Sequence, residues 1–191
     1  MIHIISPRLS KGSFHVIDPL DSSLLNIINF QYNPTSIIRN LTPEWKDDGS
    51  LYVAGTPKET INISIELDST DQLEKADPTT AEFGVHPALS ALELLVYPTC
   101  EMIVGKSHLD EEKIYYKVPL VLFTWGKNRA IPVQIMSLNV VEQEHDPQLN
   151  PIRAIVSLNM NVLDYRNFTV DQPGYKYFMA YHRSKEQMAV R

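Results

Sequence analysis

Along much of the chain, apolar and polar residues alternate with a period of two, the mark of strands with one packed and one wet face. The clearest case is Thr60 to Leu67, which sets Ile61, Ile63, Ile65 and Leu67 against Asn62, Ser64 and Glu66. Val118 to Trp125 is instead a nearly continuous apolar run, expected of a central strand covered on both faces or lying at a seam between subunits. From Ile131 to Glu144, Met136, Leu138 and Val140 share one face while Val133, Ile135 and Val141 share the other. Turn formers from His145 to Pro151 then interrupt the pattern. It returns with Ile152, Ala154, Val156, Leu158, Met160 and Val162 opposite Arg153, Ser157, Asn159 and Asn161. Residues 130–164 therefore predict one long antiparallel hairpin. Ile27–Tyr32 and Ile37–Leu41 predict two further strands around Asn33-Pro34-Thr35-Ser36, because proline fixes φ and disfavours helix before it.

One helix is predicted over about residues 87–97, with Pro87 suited to its first turn and Pro98 forbidding its continuation. Its Leu89, Leu92, Leu95 and Val96 form an apolar stripe. Ser69 to Gly84 is polar and acidic and predicts a solvated loop, and residues 99–117 a second connection. The tail carries Phe168, Tyr175, Tyr177, Phe178 and Tyr181, and residues 175–189 fit a short amphipathic helix. The fold class is α+β and mainly antiparallel β, as a small barrel or a two-sheet fold with one helix. The division expected is a β domain over 1–165 and an aromatic tail over 166–191.

The 191 residues are 43% hydrophobic, enough for a sizeable core. A net charge of -6, with no run of Lys or Arg, argues against a nucleic-acid partner. No stretch approaches the about 18 apolar residues of a membrane span, and Ser6-Pro7-Arg8 cut short the apolar start. A soluble protein folded in the cytoplasm is the expectation. The lone Cys100 allows no internal disulfide and reads as a small buried hydrophobe. No two of the six histidines are spaced to ligate a metal from one helix face, and no catalytic or phosphate-binding motif is present. Glu142, Glu144, His145 and Asp146 cluster at a strand end, where charged residues ordinarily face water. Trp45 and Trp125 suit either a core or an interface. The expectation is a protein that is not an enzyme and that uses no metal or cofactor.

Three segments, in order, resemble a known family. They are Phe30-Gln31-Tyr32-Asn33-Pro34-Thr35, the stretch Gly55-Thr56-Pro57-Lys58-Glu59-Thr60 running on to Leu67-Asp68-Ser69-Thr70-Asp71, and Pro119-Leu120-Val121-Leu122-Phe123-Thr124-Trp125-Gly126. Together they are similar to the N-terminal domain of tube and baseplate-adaptor proteins of contractile, phage-tail-like injection systems. The likeness covers about residues 26–165, including Asp146-Pro147 and Pro151-Ile152-Arg153-Ala154 at the hairpin turn. The LysM-like module with which many relatives continue has no counterpart in residues 166–191.

The resemblance implies a homo-hexameric inner-tube ring at the tube–baseplate junction, an initiator or adaptor between the inner-tube protein and the spike or hub protein. A tube terminator or another tube-ring component fits the same residues. The particle would be assembled in the cytoplasm and then released or membrane-anchored. A monomeric ligand-binding β-barrel is the alternative of another class. Under the ring reading, Asn62, Ser64, Glu66, Ser157, Asn159 and Asn161 are candidates for the lumen lining. Phe123, Trp125, Leu149, Phe168, Tyr175 and Phe178 are candidates for subunit or layer contacts.

Overall fold

The alternating segments pair as strands. A computed structural model of the protein describes residues 10–18, 21–106, 116 and 118–190. Its strands are β1 (Ser13–Ile17), β2 (Leu24–Asn29), β3 (Ile38–Thr42), β4 (Lys58–Asp68), β5 (Leu120–Thr124), β6 (Ala130–His145) and β7 (Pro151–Val162). They form one antiparallel sheet in the order β2-β1-β5-β6-β7-β4-β3. The predicted long hairpin is β6–β7, and the apolar run is β5, near the middle of the sheet and covered on both faces. The expected barrel is not closed by hydrogen bonds: β2 and β3 end the order as separate edges, and a single sheet replaces the two-sheet alternative.

The sheet nevertheless curls around one core. Phe14 of β1, Phe123 of β5, Ile131 of β6, Leu158 of β7 and Ile61 of β4 are all buried in the same cluster. The chain itself spans the open side between β2 and β3. Phe30 meets Phe14 edge-on at 5.1 Å and Phe123 at 6.4 Å between ring centres. Next to it, the Gln31 amide donates to the Asp68 carbonyl (2.5 Å) and accepts from the Asp68 N–H (2.9 Å). One side chain thus takes the place of a strand partner at the end of β4. Asn33 secures the other flank, accepting from the Gly12 N–H and donating to the Ser10 carbonyl.

The described residues hold five α-helices, three more than the helix over 87–97 and the tail helix expected: α1 (Thr70–Glu74), α2 (Pro78–Phe83), α3 (His86–Glu93), α4 (Cys100–Lys106) and α5 (Pro173–Ala189). The predicted loop over 69–84 is helical because Asp77 caps α2 through the Thr80 N–H, with Pro78 in the first turn. Ser69 staples this segment to the hairpin, its N–H and hydroxyl both donating to the Ile152 carbonyl. The predicted helix over 87–97 is α3, continued by turns to Tyr97. Its Leu89, Leu92 and Leu95 enter the core, whereas Val96 faces out, a correction to the expected stripe. In the 99–117 connection, residues 107–115 and 117 lie outside the described residues. The amphipathic tail helix is α5, which sends Tyr181 into the main core, while Phe168 and Tyr177 cover Ile17, Leu120 and Leu122 on the other face of β1 and β5.

Gln31→Leu removes both bonds to the Asp68 backbone and leaves that N–H and C=O without these partners. The expected loss is about 1–3 kcal/mol, read as a lower urea midpoint at unchanged slope.

Candidate functional site

The wet face of the hairpin and its neighbours is the surface with the most uniform chemistry. On β4 and β7 the register pairs Thr60 with Asn161, Asn62 with Asn159 and Ser64 with Ser157. On β6 the same rows continue as Gln134 beside Asn161, Ser137 beside Asn159 and Asn139 beside Ser157. Nine neutral polar side chains on three strands therefore form one field, with Asn40 and Ile38 of β3 beyond Thr60 and Asn62. Ser64, Ser157, Asn159, Gln134, Ser137 and Asn139 are exposed, and Asn62 and Asn161 half-buried. A shallow depression of about 300 Å³ lies between Ser36, Ile38, Asn62, Ser64, Ser137 and Asn159.

A β-bulge places the β6 members of this field. The register shifts between Ile135 and Ser137, leaving Met136 as the extra residue. Before it Val133 and Ile135 face the core; after it Leu138 and Val140 do, opposite Leu158 and Val156. Strict alternation had assigned these two pairs to opposite faces, so Gln134, Ser137 and Asn139 escaped the sequence reading. The signal was available in the polar spacing Gln134-x-x-Ser137-x-Asn139, which breaks period two at one position.

Charge is confined to the margins. Glu66 is exposed at one end, beside Asp68, whose carboxylate accepts from Arg153 (2.9 Å). Arg153 also bonds Glu144 (3.0 Å). At the other end Asp164 accepts from Thr56 (2.8 Å) and Arg166, and Arg166 donates onward to the carbonyls of Ala54 and Thr56. Burial pushes the Asp164 carboxyl up, but the bonds from Arg166 and Thr56 hold it, on balance, below the usual carboxylate range. The Asp68 carboxyl is likewise held down, first by the Thr70 hydroxyl against the effect of burial, with Arg153 adding to it.

The six lumen candidates fall on this one face, Asn62, Ser64, Ser157, Asn159 and Asn161 within it and Glu66 at its margin. The six contact candidates do not come together. Phe123 is buried at 1% exposure among Phe14, Phe30 and Trp125, and Phe178, itself a residue of α5, is 4% exposed beside Tyr165 and His182, so neither offers a surface. Trp125 is half-buried against Phe123 and closes over Gly12, where a Cβ would meet its ring at 2.6 Å. Phe168 and Tyr175 are half-buried. Leu149 alone is well exposed, at the hairpin tip with φ 68°. Aromatic bulk was spent on the core and on seating α5, which is why it misled as an interface signal.

The strand-end cluster is structural. Asp146 accepts from the N–H groups of Gln148 and Asn150 and from the Asn150 amide, organising the turn, while Glu142, Glu144 and His145 are exposed. Cys100 is exposed, not buried as expected. Among the described residues no group of three or more His, Cys, Asp or Glu side chains is placed to hold a metal ion, and no helix is long and apolar enough to cross a membrane. No family model matches the chain, and a search of curated proteins finds no match.

Carboxylates held below their unfolded values stabilise the fold above about pH 4, and that contribution is lost as pH falls through the folded values. Unfolding free energy is therefore expected to decline below about pH 4. Asp164→Asn, which has no charge to lose there, is expected to be less stable at neutral pH and to show a shallower acid limb in denaturant titrations across pH.

Proposed function

We propose that this chain is a structural ring subunit of a contractile injection machine, forming a six-fold inner-tube ring where the tube meets the baseplate. The observation that carries this reading is the neutral polar field on β4, β6 and β7, which lies between the β3 edge and the edge of β6 beyond Val133. Among the described residues no strand pairs with the outer edge of β3, nor with β6 beyond Val133, where β5 ends its pairing. Unpaired edges of this kind invite another strand. Through β4 and β7, β3 runs antiparallel to β6, so the β3 of one copy is oriented to extend the β6 ladder of the next with the polar faces aligned. Repeated head to tail, such a contact closes into a ring when the rotation between copies divides a full turn. The open sheet of each copy would then become a segment of a closed barrel whose inner wall is neutral and polar, a surface along which cargo moves without sticking.

The three family-like segments support the same reading from the sequence. In this assembly the protein is an initiator or adaptor whose other contacts are the inner-tube protein and the spike or hub protein. A tube terminator would use the same wall.

A second reading, a monomeric ligand-binding protein, is favoured by one feature: where β5 parts from β6 a groove of about 510 Å³ opens between Leu95, Val96, Val118, Ile135, Leu163 and Phe168. Gln134 and Asn167 also line it, and a mostly apolar wall with a few polar groups at this volume suits small molecules.

Native mass spectrometry across concentration, with and without co-expressed tube and hub proteins, separates the two. Six-subunit rings, or capture by either neighbour, are expected. Ile38 and Leu41 of β3 are exposed, so Ile38→Lys with Leu41→Lys is expected to abolish rings while shifting monomer stability by about 0.5 kcal/mol or less per site. A wild-type chain that stays monomeric beside both neighbours would sink the ring reading.

A further inference from the structure

We propose that α5 is a latch for β3: the seating of the C-terminal helix sets whether the edge strand stays ordered in the sheet. β3 is held by five register pairs, all to β4. Its one cation, Arg39, points to the core side, level with Ile61. There it donates to Glu59, 2.7 Å from Nε to Oε1, and to the Tyr181 hydroxyl at 3.0 Å. Glu59 is only 6% exposed, and its second oxygen receives Lys185 of α5 at 3.5 Å. The Lys185 ammonium also lies 4.0 Å from the Tyr181 ring centre.

A single buried carboxylate thus holds two cations, one from the edge strand and one from the helix. A buried charge is tolerated only while its partners stay in place. Lifting α5 removes Lys185 from Glu59, takes the Tyr181 hydroxyl from Arg39 and opens the remaining ion pair to water. Freeing β3 removes Arg39 from the same carboxylate and weakens the seat of α5, since coupling between two elements acts in both directions. The latch belongs to the single chain. Its bearing on assembly rests on the proposed use of the β3 edge.

The test is site-resolved hydrogen exchange on the full chain. Lys185→Glu is expected to speed exchange of the β3 amides bonded to β4 by about tenfold or more, while Val156–Met160 of β7 keep their protection. Tyr181→Phe, which preserves the ring and its packing, is expected to speed the same amides by about threefold. Arg39→Met is expected to speed exchange in α5. Loosening of α5 with β3 unchanged, or β3 and β7 accelerated by the same factor, would overturn the latch. Native mass spectrometry of the same variants keeps this inference apart from the ring: selective loosening of β3 in a chain that forms no rings supports the latch alone. Unchanged β3 exchange in a chain that does form rings refutes the latch alone.

Discussion

The fold depends on closing a curled sheet whose two edge strands never meet. Hydrogen bonds run without a break from β2 to β3, but the gap between those edges is spanned by chain. Two neighbouring residues make that crossing stable. Phe30 fills the aromatic centre with Phe14 and Phe123, and Gln31 supplies the donor and acceptor that a strand would have offered to Asp68. Gly12 belongs to the same constraint, because any Cβ there would strike both Trp125 and Phe30. Without this crossing, the cluster shared by β1, β4, β5, β6 and β7 would be open to water on one side.

Above that core the molecule keeps two chemistries apart. The middle of the outer face of β4, β6 and β7 is neutral, and its ionic groups sit at the ends, where they bind elements together rather than face the field. Arg153 ties Asp68 to Glu144 across β4, β7 and β6, and Arg166 ties Asp164 to the chain leading into β4. On the inner face the one deeply placed charge among the described residues, Glu59, joins β3, β4 and α5. Arg153, Arg166 and Glu59 therefore join elements, and the neutral field carries no ion pair.

Much of this was legible in the residues. Period-two alternation located β4, β7 and the hairpin, because a strand with one buried face can be written in few other ways. The unbroken apolar run of β5 announced a strand covered on both sides, though not what covers it: Phe168 and Tyr177 arrive from far along the chain. Phe123 and Phe178, expected as contact residues, are instead buried, Phe123 with Phe14 and Phe30 in the main core and Phe178 on the packed side of α5. The short helices α1 and α2 are too brief to show a helical period, and only the Asp77-Pro78 pair marks a start. The β6 part of the polar field was hidden by a single extra residue.

That residue, Met136, is half exposed and has no counterpart on β7. Bulged strands bend and twist more strongly than regular ones. The bend falls just beyond Val133, where β5 stops pairing and β6 goes on with β7 as its only described partner. Curvature of the polar wall is thus concentrated at one point and governed by chain length, not by side-chain chemistry. A chain without Met136 would keep every face assignment along β6, yet its hairpin would run straighter. For any assembly built by joining such walls edge to edge, the angle each copy contributes decides how many copies complete a turn. A one-residue deletion would in this way alter the bore of the assembly while leaving the character of its lining untouched.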